Sequence, residues 1–141
     1  MKLTNNFSME EFIPKHIWLK YGDKGMWFVD WEMVMFAQAF REVVGKSVTI
    51  NDWHTGGKFN GSGFRDELIP EYRSHSQHSF KAALDLKVSG MSGHELVQIL
   101  KDHRDKWPQI TTYENPDKTE TWLHADKRHT GMSELFMVNP A

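Results

Sequence analysis

The sequence predicts an α+β fold, with a small, mainly antiparallel sheet and helices packed against it. Three observations carry that expectation. Two segments repeat apolar residues at helical spacing, several short segments alternate apolar and polar residues, and two such short segments flank an Asn115-Pro116-Asp117 turn.

The elements follow in chain order. "NFSMEEF" is a helix start: Ser8 can cap, Glu11 stands at the third helical position, and Phe7 can staple against Phe12. Pro14 follows early and predicts a short or irregular helix. "FVDWEMVMFAQAFREVVGKS" is the clearest helix, with Val34, Ala37, Phe40, Val43 and Val44 at helical spacing and Gly45 as its stop. Met33, Met35 and Phe36 read as core packing rather than a cofactor box. "SVTINDW", Ser47 to Trp53, alternates and is rich in β-branched residues, so it is expected to be a strand. "HTGGKFNGSGFR" then reads as turns. It lacks the strand–GxGxxG–helix order of a nucleotide site, and no GKS or GKT follows. "KAALDLKV" is a short strand. "SGMSGHELVQILKDHRDKW" is a helix capped by Ser92 with Glu95 three residues on, running toward Trp107 and ended by Pro108. "QITTYENPDKTETWLHADKR" is expected to be a hairpin, and "LFMV" near the end an added edge strand.

The 141 residues are the size of a single domain, here expected to span 1–141. Formal net charge is −2, with 17 basic and 19 acidic residues, so no basic excess draws the chain to a nucleic acid, and no nucleic-acid partner is expected. Cysteine is absent, which excludes disulfides and thiolate ligands and leaves His, Asp and Glu to hold any metal. No apolar stretch is long enough to span a membrane, and the opening "MKLTNNFSMEEF" has no apolar core of the secretory type. The expectation is cytoplasmic synthesis, with release by another agent if the protein works outside the cell. Oligomeric state is left open by the sequence.

Strand parity raises the chemical question. In "KAALDLKV", Ala82, Leu84, Leu86 and Val88 share one face, while Ala83, Asp85 and Lys87 share the other. In "TETWLHADKR", Glu120, Trp122, His124, Asp126 and Arg128 fall on one face. If the two polar faces adjoin, His124 meets Asp85, and His78, in the turn feeding the first strand, folds back over both. Two imidazoles and a carboxylate make a three-ligand zinc set with a fourth position open for water. The residues alone equally allow a loop histidine at 78, an Asp85 paired with Lys or Arg, and a half-exposed sheet histidine at 124.

The order of motifs adds to this reading. "NFSMEEF", "GSGFR", "SQHSFKAALDL" and "WLHADKR" resemble, in sequence order, the opening segment, the Ser-Gly-Tyr-Arg turn, the Ser-x-His and Ala-x-Asp metal motif, and the closing Trp-x-His-x-Asp-x-Arg strand of the zinc D-alanyl-D-alanine carboxypeptidases (peptidase family M15), especially their small phage-like members. The resemblance implies the hedgehog/DD-peptidase fold and hydrolysis of peptidoglycan stem peptides, either as a D-Ala-D-Ala carboxypeptidase or as an L-Ala-D-Glu endopeptidase. It implies one zinc ion on His78, Asp85 and His124. It makes Arg65 the residue that holds a substrate carboxylate or the developing oxyanion, and it suggests an endolysin or a phage particle component acting on the cell wall.

Two departures matter. Lys81 stands where the family usually has Gly. Thr121 stands three residues before the last histidine, where many relatives carry the catalytic acid. Glu120 and Asp126 are therefore both candidates for the general base. On a straight strand Glu120 would lie ~13 Å from His124 and Asp126 ~7 Å, and Asp126 could instead orient a ligand imidazole. His75 and His54 are candidates to line a cleft. The alternative to an enzyme is a catalytically silent metal-binding or structural module of the same fold.

Overall fold

The computed structural model describes residues 1–140. Three helices, α1 (Lys15–Tyr21), α2 (Trp31–Val44) and α3 (Gly93–Asp102), accompany four short strands, β1 (Ala83–Leu86), β2 (Thr112–Glu114), β3 (Leu123–Asp126) and β4 (Phe136–Val138). The sheet order is β1-β3-β2-β4. β3 pairs antiparallel with both β1 and β2, and β4 adds to the edge of β2 in parallel. The chain is α+β with a small mixed sheet and helices against it, as its patterning predicts.

Local chemistry explains the helix ends. The Asp30 carboxylate accepts the Glu32 N–H at 2.9 Å and opens α2, and Gly45 closes it in the left-handed region at φ 72°. Ser92 and Glu95 form a reciprocal capping box at α3: the Glu95 N–H donates to Ser92 Oγ at 3.1 Å and the Ser92 N–H to Glu95 Oε1 at 3.0 Å. Gly93 is held against the turn before β3, where a Cβ would fall 2.0 Å from the Thr119 carbonyl oxygen. At the start of the chain, Met9–Phe12 is one 3₁₀ turn, with Glu11 accepting the Ser8 N–H at 2.7 Å and the Phe7 and Phe12 rings 5.9 Å apart.

The core gathers Phe36 and Phe40 of α2, Leu96 and Leu100 of α3, the apolar face of β1 and β3, and Trp107, whose ring lies 5.6 Å from Phe36 and 5.5 Å from Phe40. Each of these side chains removes apolar surface from water, for roughly 1.5–3 kcal/mol apiece.

Several expectations are corrected. Ser47 to Trp53 is not a strand; only Thr49 pairs, in an isolated bridge with Lys87, and a 3₁₀ turn begins at Trp53. Its alternation reflects burial of Val48 and Ile50 in an otherwise irregular segment. Pro14 ends one turn and starts another, standing as the N-cap of α1, a helix the pattern did not reveal. α3 stops at Asp102, with a separate 3₁₀ turn over Arg104–Lys106 before Trp107. Met35 is exposed, whereas Met33 and Phe36 are buried. "LFMV" does supply an edge strand, at Phe136–Val138.

Candidate metal centre

The site is built where β1 and β3 lie side by side. Their register pairs Asp85 with His124 and Ala83 with Asp126 on one face, and Leu84 with Ala125 and Leu86 with Leu123 on the other. Directly opposed residues on one face come into side-chain contact, so the polar alternation of both strands converges. His78 arrives from the 3₁₀ turn Gln77–Phe80 that feeds β1, a turn opened by Ser76 Oγ accepting the His78 N–H at 3.2 Å. That turn ends at Lys81, which has φ 54° and is the one non-glycine residue with positive φ among those described. The position does require the left-handed conformation that glycine takes without strain.

His78, Asp85 and His124 each offer an atom within 4.8 Å of the others'. Both rings are almost fully buried, and each has one nitrogen already engaged. His78 Nδ1 donates to the Gly63 carbonyl at 2.8 Å, leaving Nε2 to face Asp85 Oδ1 at 3.2 Å. His124 Nε2 stands 2.8 Å from Asp126 Oδ2, leaving Nδ1 to face the same Asp85 oxygen at 3.1 Å. The two free nitrogens and one carboxylate oxygen thus point at a common locus, and the outer nitrogens are held by a carbonyl and a carboxylate. That is the donor set and the support a zinc ion takes, and the cluster could hold one such ion.

Gly63 positions His78 because it can approach the chain's first turn: a Cβ there would lie 2.3 Å from the Phe12 carbonyl oxygen. The Phe64 N–H donates to that same carbonyl at 2.9 Å, and the Arg65 N–H donates to the His78 carbonyl at 3.1 Å. The loop carrying "GSGFR" is therefore locked between the N-terminal turn and the His78 turn.

The electrostatics follow from the contacts. Burial would raise the Asp85 carboxyl, but His78 and His124 hold it well below the usual carboxylate range. Burial would lower the His124 imidazole, yet its hydrogen bonds to the Asp126 and Asp85 carboxylates raise it from 6.5 to about 9. Without a metal, the two flanking carboxylates favour the protonated form of His124. Asp126 is fully buried, and burial opposes its charge; His124 and Arg128 overcome that and lower its pKa. Arg128 clamps Asp126 with Nη2 at 2.6 Å from Oδ2 and Nε at 2.9 Å from Oδ1.

The other expected residues fall as follows. Arg65 lies beside the cluster, donating from Nη2 to Asp85 Oδ2 at 3.0 Å and from Nε to the Gly61 carbonyl. Asp126 meets His124 on the ring nitrogen away from Asp85. Glu120 is outside β3, exposed in the turn whose backbone accepts the Gly93 N–H at 2.7 Å. Thr121 is also exposed. His75 lines the cleft that holds the cluster, whereas His54 lies in a separate polar pocket with Glu11 and Arg41.

One neighbour was not anticipated. Glu114, at the end of β2, places Oε1 3.6 Å from His124 Nδ1, on the side of the ring that faces the cluster. Its pKa is raised, first by burial and also by the Asp85 charge, with His124 acting in the opposite sense. The missed signal is register. Thr112 opposes Asp126 and Tyr113 opposes Ala125, so the next residue pair on that ladder is Glu114 and His124. A tight turn at Asn115-Pro116-Asp117 would have paired Glu114 with a residue just beyond the turn, and the longer connection through Trp122 hides the true partner.

Two openings adjoin the cluster and share Arg65, Glu71, Asp85 and Trp122. One, of about 730 Å³, exposes His78, His124 and Glu114. The other, a groove of about 940 Å³, runs from Asp85 past Lys87, Val88 and Met91 to Glu120. No protein-family model matches this chain, and no match is found among curated proteins or solved structures. No helix is long and apolar enough to cross a membrane.

Proposed function

We propose that this chain is a zinc-dependent peptidase of the D-Ala-D-Ala carboxypeptidase type with the hedgehog/DD-peptidase fold, hydrolysing peptide bonds in peptidoglycan stem peptides. The observation that carries the reading is the convergence of the free His78 and His124 nitrogens on Asp85 with Glu114 at the open side of the same cluster. The order of the four motifs supports the substrate class, and the grooves beside the cluster have room for an extended peptide.

A zinc ion on His78, Asp85 and His124 would lower the pKa of a bound water and polarise a carbonyl. Glu114 is the general base: it accepts a proton from the attacking water and returns it to the leaving nitrogen as the C–N bond breaks. Burial raises its pKa, which makes it a stronger proton acceptor than an ordinary carboxylate. Asp126 holds His124 in the tautomer that leaves Nδ1 free, and Arg128 fixes Asp126 in turn. Arg65 orients Asp85 and lines both openings, where it can meet the carbonyl oxygen or a carboxylate of the substrate. Glu120 stands at the groove's rim, available to a substrate's polar groups. The chain acts on the wall after release or as part of a phage particle.

The test joins metal analysis to digestion. Protein purified from zinc-supplemented culture should carry one zinc per chain, lose it on His78→Ala, and release fragments from purified muropeptides whose masses give the bond cut. A zinc-free wild type would refute the metal centre. A zinc-loaded protein that cleaves no muropeptide would refute the peptidase and leave a metal-binding module, the reading favoured by Thr121 in place of the family's acid.

A further inference from the structure

Lys87 is a cation that neither the metal cluster nor the core explains. It follows β1 directly and stands two residues after Asp85, so its side chain lies on the Asp85 face, ~7 Å along the strand. Its backbone is pinned by a reciprocal pair of hydrogen bonds with Thr49, at 2.8 and 2.9 Å. Its stem is half-buried, and Nζ lies 4.0 Å from the Phe59 ring centroid and donates to Ser62 Oγ at 2.6 Å. Among the described residues no carboxylate oxygen lies within 4.0 Å of Nζ. Asp85, the acid on its own face, is already engaged by Arg65 and two imidazoles. A half-buried ammonium with one neutral partner is costly to hold, and this one lines the floor of the larger groove.

Ser62 completes the arrangement. It is buried, its N–H donates to Asn51 Oδ1 at 2.8 Å, and its carbonyl accepts the Asp85 N–H at 2.8 Å. Its hydroxyl oxygen accepts from Lys87, which leaves its own proton available to a ligand. Arg65, Ser62 and Lys87 thus bring three donors to one groove, which the apolar side chains of Val88 and Met91 also line.

We propose that Lys87 and Ser62 form an anchor for a carboxylate of the substrate, separate from Arg65 and one to two residues along an extended peptide from the bond over the metal cluster. This rests on the peptidase reading and names what the groove selects. A singly charged carboxylate fits better than a phosphate because Glu71, Glu95 and Glu120 also line the groove and repel a dianion. A stem peptide offers two such groups: the free α-carboxylate of γ-linked D-glutamate and the C-terminal carboxylate.

The experiment uses synthetic L-Ala-γ-D-Glu-L-Lys-D-Ala-D-Ala in four forms, acid or amide at each of the two carboxylates. Cleavage by zinc-loaded protein and binding to the Glu114→Gln variant by calorimetry are both read. The wild type should prefer the acid at one of the two positions by about tenfold to hundredfold, and that position identifies the group bound. Lys87→Met should abolish the preference by raising KM for the acid while leaving the amide's kinetics and the zinc content unchanged, and Lys87→Arg should retain it. If Lys87→Met misfolds, Ser62→Ala supplies the same comparison with the charge in place and a smaller loss. An acid-to-amide ratio near one in the wild type, or one unchanged in Lys87→Met, overturns the anchor while cleavage persists. A Lys87-dependent preference in binding without any cleavage leaves the anchor standing and removes the peptidase; no binding of any form removes the anchor.

Discussion

The two faces of the β1–β3 ribbon share one set of backbone hydrogen bonds and differ in everything else. On one, Leu84, Leu86, Leu123 and Ala125 meet the core and need only be apolar and of the right size. On the other, Ala83, Asp85, His124 and Asp126 form a surface where each polar atom needs a named partner, supplied by His78, Arg65, Arg128 and Glu114. A hydrophobic face tolerates variation because burial is non-directional. The polar face is specified atom by atom, because a buried charge without its partner is costly. Stability and chemistry are thus separable on a single pair of strands, and the separation can be tested from both sides.

The largest effect should come from the polar face. Glu114→Gln keeps shape and bulk but cannot accept the proton, so kcat should fall by about 10²–10⁴ while zinc content and melting temperature stay at wild-type levels. The corresponding Asp126→Asn or Glu120→Gln variant failing in the same way would reassign the base. Leu86→Ala on the apolar face should do the reverse. It should cost about 2–5 kcal/mol of stability, measured by denaturant unfolding, with activity per folded molecule unchanged; lost zinc affinity in that variant would show the faces to be coupled.

Protonation gives a third test. His124 has a folded pKa raised to about 9 from 6.5, so in chelator-treated protein its contribution is fully present below pH 6.5 and lost as pH rises through 9. The loss should be on the order of 3 kcal/mol in thermal melts run between pH 6 and 10. It should vanish when zinc is bound, because the metal replaces the Nδ1 proton. A flat chelated profile would mean that His124 is neutral without metal. Asp126→Asn should weaken zinc binding by about 10–100-fold, read by competition with a chromophoric chelator. The smallest effect belongs to Lys81→Gly. Relieving a left-handed lysine should stabilise by at most about 1 kcal/mol, offset in part by loss of the Lys81 Nζ bond to the Trp27 carbonyl at 3.0 Å.

Much of this contrast could be read from residue types alone. Period-two alternation placed Asp85 opposite the leucines, and the same test put His124 and Asp126 together. The capping residues Ser8 and Ser92 mark helix starts because side-chain oxygens meet unpaired N–H groups within a few residues, a strictly local event. What stayed hidden depends on distance in the chain. Glu114 reaches His124 only through the β2–β3 register, which the Asn115–Trp122 connection sets. Ser47–Trp53 alternates like a strand but finds a single bridge partner, Lys87, and so never forms a ladder. α1 follows a proline that looks like a stop and serves as a cap.

The close contact between Gly63 and the Phe12 carbonyl reaches further than the loop it shapes. It makes the opening dozen residues a buttress for the His78 imidazole some sixty positions later in the chain. Trimming that opening segment, or bulking out Gly63, is expected to weaken zinc affinity before any loss of helix content. The geometry of the candidate ion site is in this sense set from the far end of the polypeptide.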